Sequence, residues 1–240
     1  MTEALPPIRL GLVGSPNSGK TTLFNALTGL RAKVGNYPGV TVERREGDAS
    51  LGGRRLRVID LPGTYSLAPV SPDEAVVRRV LHGEIDEVAP PDGLVVTVDA
   101  CTLERSLSLV AQVLELGIPT CLVLTMTDEL HARGGELDRE RLADALGIPV
   151  VGVVGHRGIG LAELKRLLPT PGTWERPQLL PPQDEDERQA WIASVLDRVL
   201  AKRPGRSART EAIDAVVLHP VLGTLLFVTV MVLFFQLIFA

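Results

Sequence analysis

Gly14-Ser15-Pro16-Asn17-Ser18-Gly19-Lys20-Thr21 decides how this chain folds. Before it runs the apolar stretch Ile8–Val13; after it, from Lys20 to Leu27, apolar residues recur at helical spacing. The pattern G-x-x-x-x-G-K-[ST] between a strand and a helix is a phosphate-binding loop in the context it requires. Gly14 and Gly19 let the backbone curl so that successive N–H groups face a phosphate, and the helix N-terminus adds partial positive charge. Lys20 is placed to reach the β- and γ-phosphates of a nucleotide, and the Thr21 hydroxyl to ligate Mg²⁺. Ser15, Pro16, Asn17, Ser18 and Thr22 complete the expected binding stretch.

Beyond the loop, Leu56–Asp60, Leu94–Asp99, Thr120–Met126 and Pro149–Val154 read as strands buried on both faces, with a further one at Glu46–Leu51. Helical periodicity at Asp73–His82, Leu103–Leu116, Arg139–Leu146 and Leu161–Leu168 alternates with them. The alternation predicts an α/β fold of the P-loop GTPase kind, a mostly parallel sheet with helices on both faces. Asp60-Leu61-Pro62-Gly63 stands at a strand end, where such proteins use the acid for the Mg²⁺ shell and the glycine N–H to sense the γ-phosphate. Thr41, in the loop Val34–Arg45 with Gly39 and Val40, stands where they place a hydroxyl that closes on Mg²⁺ when GTP is bound. These two loops are the expected switches. Lys20, Thr41 and Gly63 would serve catalysis; Thr21, Thr41 and Asp60 would hold Mg²⁺.

Composition excludes other classes. The 240 residues carry 25 basic and 29 acidic side chains, a formal charge of −4, which argues against a nucleic-acid partner. With 45% hydrophobic residues the chain is not disordered. Cys101 and Cys121 lack metal-type spacing, so a disulfide-stapled secreted fold is not expected. His82, His131 and His156 show no ligand spacing, and Trp191 reads as a packing residue.

Residues 1–7 read as a disordered N-terminus without a signal peptide, and 8–169 as the nucleotide domain. Residues 170–183, with Pro171, Pro177, Pro181 and Pro182, read as a linker. A short helical domain is expected over 184–212, its helix Asp184–Lys202 opening on four acids. Residues 215–240 are almost wholly apolar, and Val221–Ala240 is 20 residues with one amide, Gln236. That length makes about 30 Å of helix, so a transmembrane helix is expected, with the chain broken off inside the apolar run. Lys202, Arg203, Arg206 and Arg209 on its N-terminal side place the nucleotide domain in the cytoplasm.

Particular runs carry a family resemblance. Asn36-Tyr37-Pro38-Gly39-Val40-Thr41-Val42-Glu43, Asp60-Leu61-Pro62-Gly63-Thr64-Tyr65-Ser66-Leu67 and Ser71-Pro72-Asp73-Glu74-Ala75 resemble the bacterial ferrous-iron transporter family FeoB. So do Leu114-Glu115-Leu116-Gly117-Ile118-Pro119 and Leu218-His219-Pro220-Val221-Leu222-Gly223, the last like the entry to that family's first membrane helix. The order of motifs is kept along almost the whole chain. The resemblance implies a cytoplasmic GTP-hydrolysing domain, a small helical domain that affects nucleotide release, and a polytopic Fe²⁺-carrying membrane domain in the bacterial inner membrane, of which one span is present. It implies GTP and GDP as ligands, Mg²⁺ and K⁺ as cofactors, with Asn17 at the K⁺ position. The lipid bilayer and the rest of the membrane domain are its implied partners, and a homo-oligomer stays open. The residues are compatible with an added cation: no arginine finger is evident, and Thr64 and Tyr65 supply no glutamine to orient water.

Two departures bear on the base. Thr125-Met126-Thr127-Asp128 replaces the usual Asn-x-x-Asp; Asp128 keeps the carboxylate for the guanine N1 and N2 donors, while Thr125 is too short to make both bonds of an asparagine amide. One lost neutral hydrogen bond costs roughly 0.5–1.5 kcal/mol. Val154-Gly155 replaces the usual Ser-Ala, leaving the Gly155 N–H for guanine O6. The expectation is a slow, K⁺-stimulated GTPase forming the cytoplasmic part of a ferrous-iron transporter, with a weakened preference for guanine. A tethered single-span regulatory GTPase and a degenerate nucleotide-binding module stay open as rivals.

Overall fold

The computed structural model describes residues 6–38, 40–68, 71–85, 88–205 and 217–239. Its core is a seven-stranded sheet built around β1 (Ile8–Gly14). The neighbours of β1 are β4 (Arg54–Asp60) and β5 (Gly93–Asp99), both parallel to it. Outward on the β5 side lie β6 (Thr120–Thr125) and β8 (Val150–Gly152), again parallel. Outward on the β4 side, β3 (Glu43–Leu51) and the edge strand β2 (Ala32–Asn36) are antiparallel. The strand order β2-β3-β4-β1-β5-β6-β8 makes the sheet mostly parallel, and its chain order reverses at β1. Open α/β sheets bind ligands at the C-terminal strand ends beside such a reversal.

Helices cover both faces. On one, α1 (Lys20–Thr28) and α6 (Leu161–Leu167) close a core containing Leu10, Leu12, Phe24, Val58, Val95 and Val123. On the other, α2 (Pro72–Leu81), α3 (Leu103–Glu115) and α5 (Arg139–Leu146) close a second core with Ile59, Val96, Leu107, Val110 and Leu142. Strands such as β5, buried at six successive positions, need apolar residues on both sides, and this is why they read as continuous runs.

Some boundaries differ from the sequence expectation, each for a local reason. β6 stops at Thr125 because Met126 takes φ +55°, outside the extended region. It leads into the short α4 (Thr127–Ala132), whose six residues are too few to show periodicity. β2, exposed at all five positions, has no apolar face to reveal it. The proline-rich stretch is docked rather than loose: Trp174 is buried and its indole N–H donates to the Leu167 carbonyl at 3.1 Å.

The helix expected over Asp184–Lys202 forms as α7 (Glu185–Val199), capped by Asp184. Ile192, Val195, Leu196 and Val199 join the core shared with α3 and α5. Arg188, 7% exposed, ties α7 to Glu115 of α3 at 3.3 Å and to the Gln183 carbonyl at 2.8 Å. β9 (Leu200–Lys202) then pairs antiparallel with β7 (Glu136–Leu137). Residues Met1–Arg203 form one compact unit and Pro204–Ala240 a second. The expected extension of the helical domain to 212, with Arg206 and Arg209, lies outside the described residues.

In the second unit, α8 (Leu222–Phe239) is a helix of 18 residues, a rise of about 27 Å. Among the described residues no helix is long and apolar enough to cross a membrane. The span expected over 215–240 is thus corrected to a shorter helix, because the chain turns at Pro220 and Val221 before it. Thr224 and Thr229 spend their hydroxyls on the Pro220 and Leu225 carbonyls, at 2.7 and 2.8 Å.

Candidate nucleotide site

Backbone sterics build the loop between β1 and α1. A Cβ on Gly14 would stand 2.2 Å from the Thr97 hydroxyl and 2.6 Å from the Thr97 carbonyl, so only glycine lets β5 support the loop from beneath. The Thr97 hydroxyl donates to the Val13 carbonyl at 3.2 Å and lies 2.8 Å from the Ser18 hydroxyl. Asn17 and Gly19 take positive φ, +64° and +79°, which turn the chain into α1. No side chain caps α1, and its first turn holds no acid. α2, by contrast, closes its N-terminus with a capping box from Ser71 and Glu74. Uncapped N–H groups behind a glycine turn suit an anion.

Asp60, 8% exposed at the end of β4, accepts from Lys20 Nζ at 2.5 Å. The following loop lies on the phosphate loop: Leu61 N–H donates to Leu12 O at 3.2 Å and Thr64 N–H to Gly14 O at 3.1 Å. A Cβ on Gly63 would meet Pro16 at 3.1 Å, so the close approach depends on glycine. Lys20, Thr21, Thr41, Asp60 and Gly63 line one cavity of about 420 Å³. Thr41 is exposed and Val40 half-buried; Gly39 lies outside the described residues. Hydroxyls and a carboxylate are hard oxygen donors of the kind Mg²⁺ takes together with substrate phosphates. Among the described residues no cluster of three or more His, Cys, Asp or Glu side chains is placed for a metal.

A second cavity, about 440 Å³, opens on the other side of Gly19. Thr22, Thr125, Asp128, Val154 and Gly155 all line it. Here the structure alters the reading of Thr125. Its hydroxyl sits 2.8 Å from the Ser18 carbonyl and 3.1 Å from the Val98 carbonyl. One proton serves two protein acceptors, so the side chain is a strut beneath the phosphate loop rather than a donor aimed into the cavity. α4 supplies two carboxylates to the cavity wall from its first turn, Asp128 and Glu129, the latter bonded to Arg133. Ser15 and Ser18 are buried inside the loop, and Pro16 and Asn17 are exposed on its crest.

Other residues join these cavities, Met126 and Asp73 from within runs quoted above and Arg133 and Arg45 from outside them. Met126 and Arg133 line the second one, Arg133 bonded to Glu129 at 2.7 Å. Arg45 and Asp73 line the first, and Arg45 is paired with Glu43 at 2.8 Å. Arg45 is two residues beyond the quoted motif, and only the register that sets it opposite Asp60 reveals its place. The Cys101 thiol, 4.0 Å from the carbonyl of Met126, is pushed up to about 11 by burial and by Asp99, so it stays protonated at neutral pH.

A mostly parallel sheet, a glycine-rich turn into an uncapped helix and an acid at the adjacent strand end define a P-loop GTPase domain. The family model described as Ferrous iron transport protein B matches residues 8–168, and the chain belongs to that family. It is similar to the Fe(2+) transport protein A/Fe(2+) transporter FeoB fusion protein of Porphyromonas gingivalis, at 46% identity over 157 residues, 65% of this chain and 18% of that protein. Among solved structures it resembles the cytosolic domain of L. pneumophila FeoB, with 32% identity, a TM-score of 0.72 and coverage of 81% of this chain and 100% of that one. The cytosolic domain of the T. maritima FeoB iron transporter matches in a GDP form and in a GMPPNP form, at 30% and 29% identity and TM-scores of 0.71 and 0.70. These cover 83% and 81% of this chain and 100% of the other. The chain spans about a fifth of the length of the curated relatives it matches.

Proposed function

We propose that this chain binds guanine nucleotides and slowly hydrolyses GTP to GDP and phosphate, as the cytoplasmic part of a ferrous-iron transporter. One observation carries the reading: the uncapped N-terminus of α1 opens between a cavity lined by Lys20, Thr21, Thr41, Asp60 and Gly63 and one lined by Asp128 and Gly155. The first suits phosphates, the second a base. Lys20 would leave Asp60 for the β- and γ-phosphates, and Asp60, Thr21 and Thr41 would hold Mg²⁺. That ion, when bound, neutralises phosphate charge. The Gly63 N–H would meet the γ-phosphate. The GDP and GMPPNP forms of the T. maritima relative support nucleotide as the ligand. Phosphate release from GTP by the purified 240-residue chain in detergent tests this. We expect slow, Mg²⁺-dependent turnover with GTP and far less with ATP; no release above a Lys20→Ala control would overturn it.

K⁺ at Asn17 is part of the proposal. Asn17 is exposed on the loop crest, and neither Thr64 nor Tyr65 is a water-orienting glutamine. Hydrolysis should therefore be faster in K⁺ than in Na⁺ at equal ionic strength. Asn17→Gly keeps the positive φ, removes the amide and should erase the difference. Equal rates of the unmodified chain in both salts would remove K⁺ from the account.

The strut makes a separate prediction. Thr125→Val leaves the buried Ser18 carbonyl without its donor, so GDP and GTP should both weaken, by about tenfold. Thr125→Ser keeps the hydroxyl and should stay within about twofold. Fluorescent-nucleotide titrations distinguish them; a Val variant as tight as the parent would deny the strut.

The membrane part rests on α8, whose exposed apolar residues, among them Leu225, Phe227, Val230, Leu233 and Phe235, surround the helix. A helix apolar all round is made for lipid or a protein interior, not water. At 18 residues it is short for a span, and we assign its apolar surface to contact with lipid or with the membrane domain of the transporter. The ion path for Fe²⁺, as transported substrate, belongs to the larger share of the family's length that this chain does not span.

A further inference from the structure

The loop that carries Thr41 is the tip of a hairpin. β2 and β3 pair as far as Asn36 opposite Glu43, and the ladder continues with Tyr37 N–H donating to Val42 O at 3.0 Å. Val40 N–H donates to Tyr37 O at 3.2 Å, so the tip is closed at its base. Alternation then points Val42 inward, 8% exposed, and Thr41 outward into the phosphate cavity.

Tyr37 anchors that tip. It is 1% exposed and belongs to the core that also holds Ile59 and Leu61, at the end of β4, and Val76 of α2. Leu61 and α2 bracket the loop that carries Gly63. One buried ring thus belongs to the core beneath both loops that bound the phosphate cavity. Yet its hydroxyl is buried and has no hydrogen-bond partner among the described residues. The Arg44 guanidinium lies 5.9 Å from the ring centroid and is itself engaged with Glu46 at 2.6 Å. Burial pushes the phenol far above its ordinary value, as a dry site would.

Two terms of opposite sign meet in this side chain. Burying an aromatic ring favours the seated tip. Burying a hydroxyl without a partner opposes it, because that group lost its water bonds on entry. We infer that Tyr37 is a positioning residue that seats the Thr41 loop at the phosphate cavity, and that its unpaired hydroxyl keeps the seat marginal, so the loop can leave when the γ-phosphate does. The inference rests on the nucleotide reading above. It explains why a tip with a closed ladder would still act as a switch: until the γ-phosphate is bound the seated state is the minority one, so the ligand decides it.

The test uses the 240-residue chain in detergent with fluorescent GDP and GMPPNP. Tyr37→Phe keeps the ring and removes the orphan hydroxyl. It should bind GMPPNP about threefold tighter or better, with GDP within about twofold of the parent and no loss of thermal stability. Tyr37→Ala should lose GMPPNP affinity by about tenfold or more while GDP changes little. If Tyr37→Ala does not fold, the sign of the Tyr37→Phe change decides alone. Unchanged or weaker GMPPNP binding by Tyr37→Phe would overturn the inference. So would equal losses of GDP and GMPPNP in a folded Tyr37→Ala, which mark a purely structural ring. A parent chain that binds neither nucleotide would overturn the functional reading itself, a distinct result.

Discussion

Lys20→Ala is expected to reduce GDP and GTP affinity by about two powers of ten or more, since hydrogen bonds to charged groups contribute roughly 1.5–3 kcal/mol each and the ammonium serves two phosphates. The structure adds a second consequence. Lys20 and Asp60 are 11% and 8% exposed and 2.5 Å apart, so the truncation also strands a buried carboxylate. Breaking a buried pair from one side typically costs about 3–5 kcal/mol. The single variant should therefore unfold at lower temperature as well as lose nucleotide. Adding Asp60→Asn should restore much of the stability, because the stranded charge is gone, and none of the binding. Thermal melts and nucleotide titrations on the same two samples separate the effects. Nucleotide binding by Lys20→Ala within about threefold of the parent would place the phosphates elsewhere.

Asp128→Asn is the second large effect. A carboxylate accepts from both guanine N1–H and N2–H, whereas an amide presents one acceptor and a donor. The donor faces the exocyclic amine of guanine but would meet the carbonyl that xanthine carries there. Losing one charge-assisted bond and opposing another should cost GDP affinity about two to four powers of ten. Xanthosine diphosphate should gain over the same range. Thr125 changes little in this exchange, because its proton is committed to Ser18 and Val98. A variant that still prefers GDP to xanthosine diphosphate would remove Asp128 from the base site.

The phosphate loop was legible because its chemistry is backbone chemistry. Glycines at the right spacing, a lysine and a threonine are read directly, and the flanking strand and helix follow from apolar periodicity. Asp60 and Gly63 were legible for the same reason, as punctuation at a strand end. Long-range pairing was not. Thr97 is seventy-nine residues from Ser18, and nothing in its neighbours shows that its hydroxyl underlies the loop. By sequence Thr125 is only a weak base contact, because a residue's type does not show which carbonyl it reaches. Arg45 carries no sequence mark of its role, because antiparallel register, not spacing, sets it beside the phosphate cavity. β2 carries no apolar face, so period-two alternation had nothing to act on. In α7 the stripe was visible but not its destination, which depends on α3 and α5 offering complementary apolar surface.

The central claim is that these two cavities form one Mg²⁺-dependent guanine-nucleotide site. Displacement of fluorescent GDP from the 240-residue chain by unlabelled GDP and by ADP, with Mg²⁺ present, tests it most directly. GDP should displace the probe at least about tenfold more effectively than ADP, because Asp128 can accept from guanine and finds no matching donors on adenine. Equal displacement by the two, or no binding of the probe at all, would contradict the account.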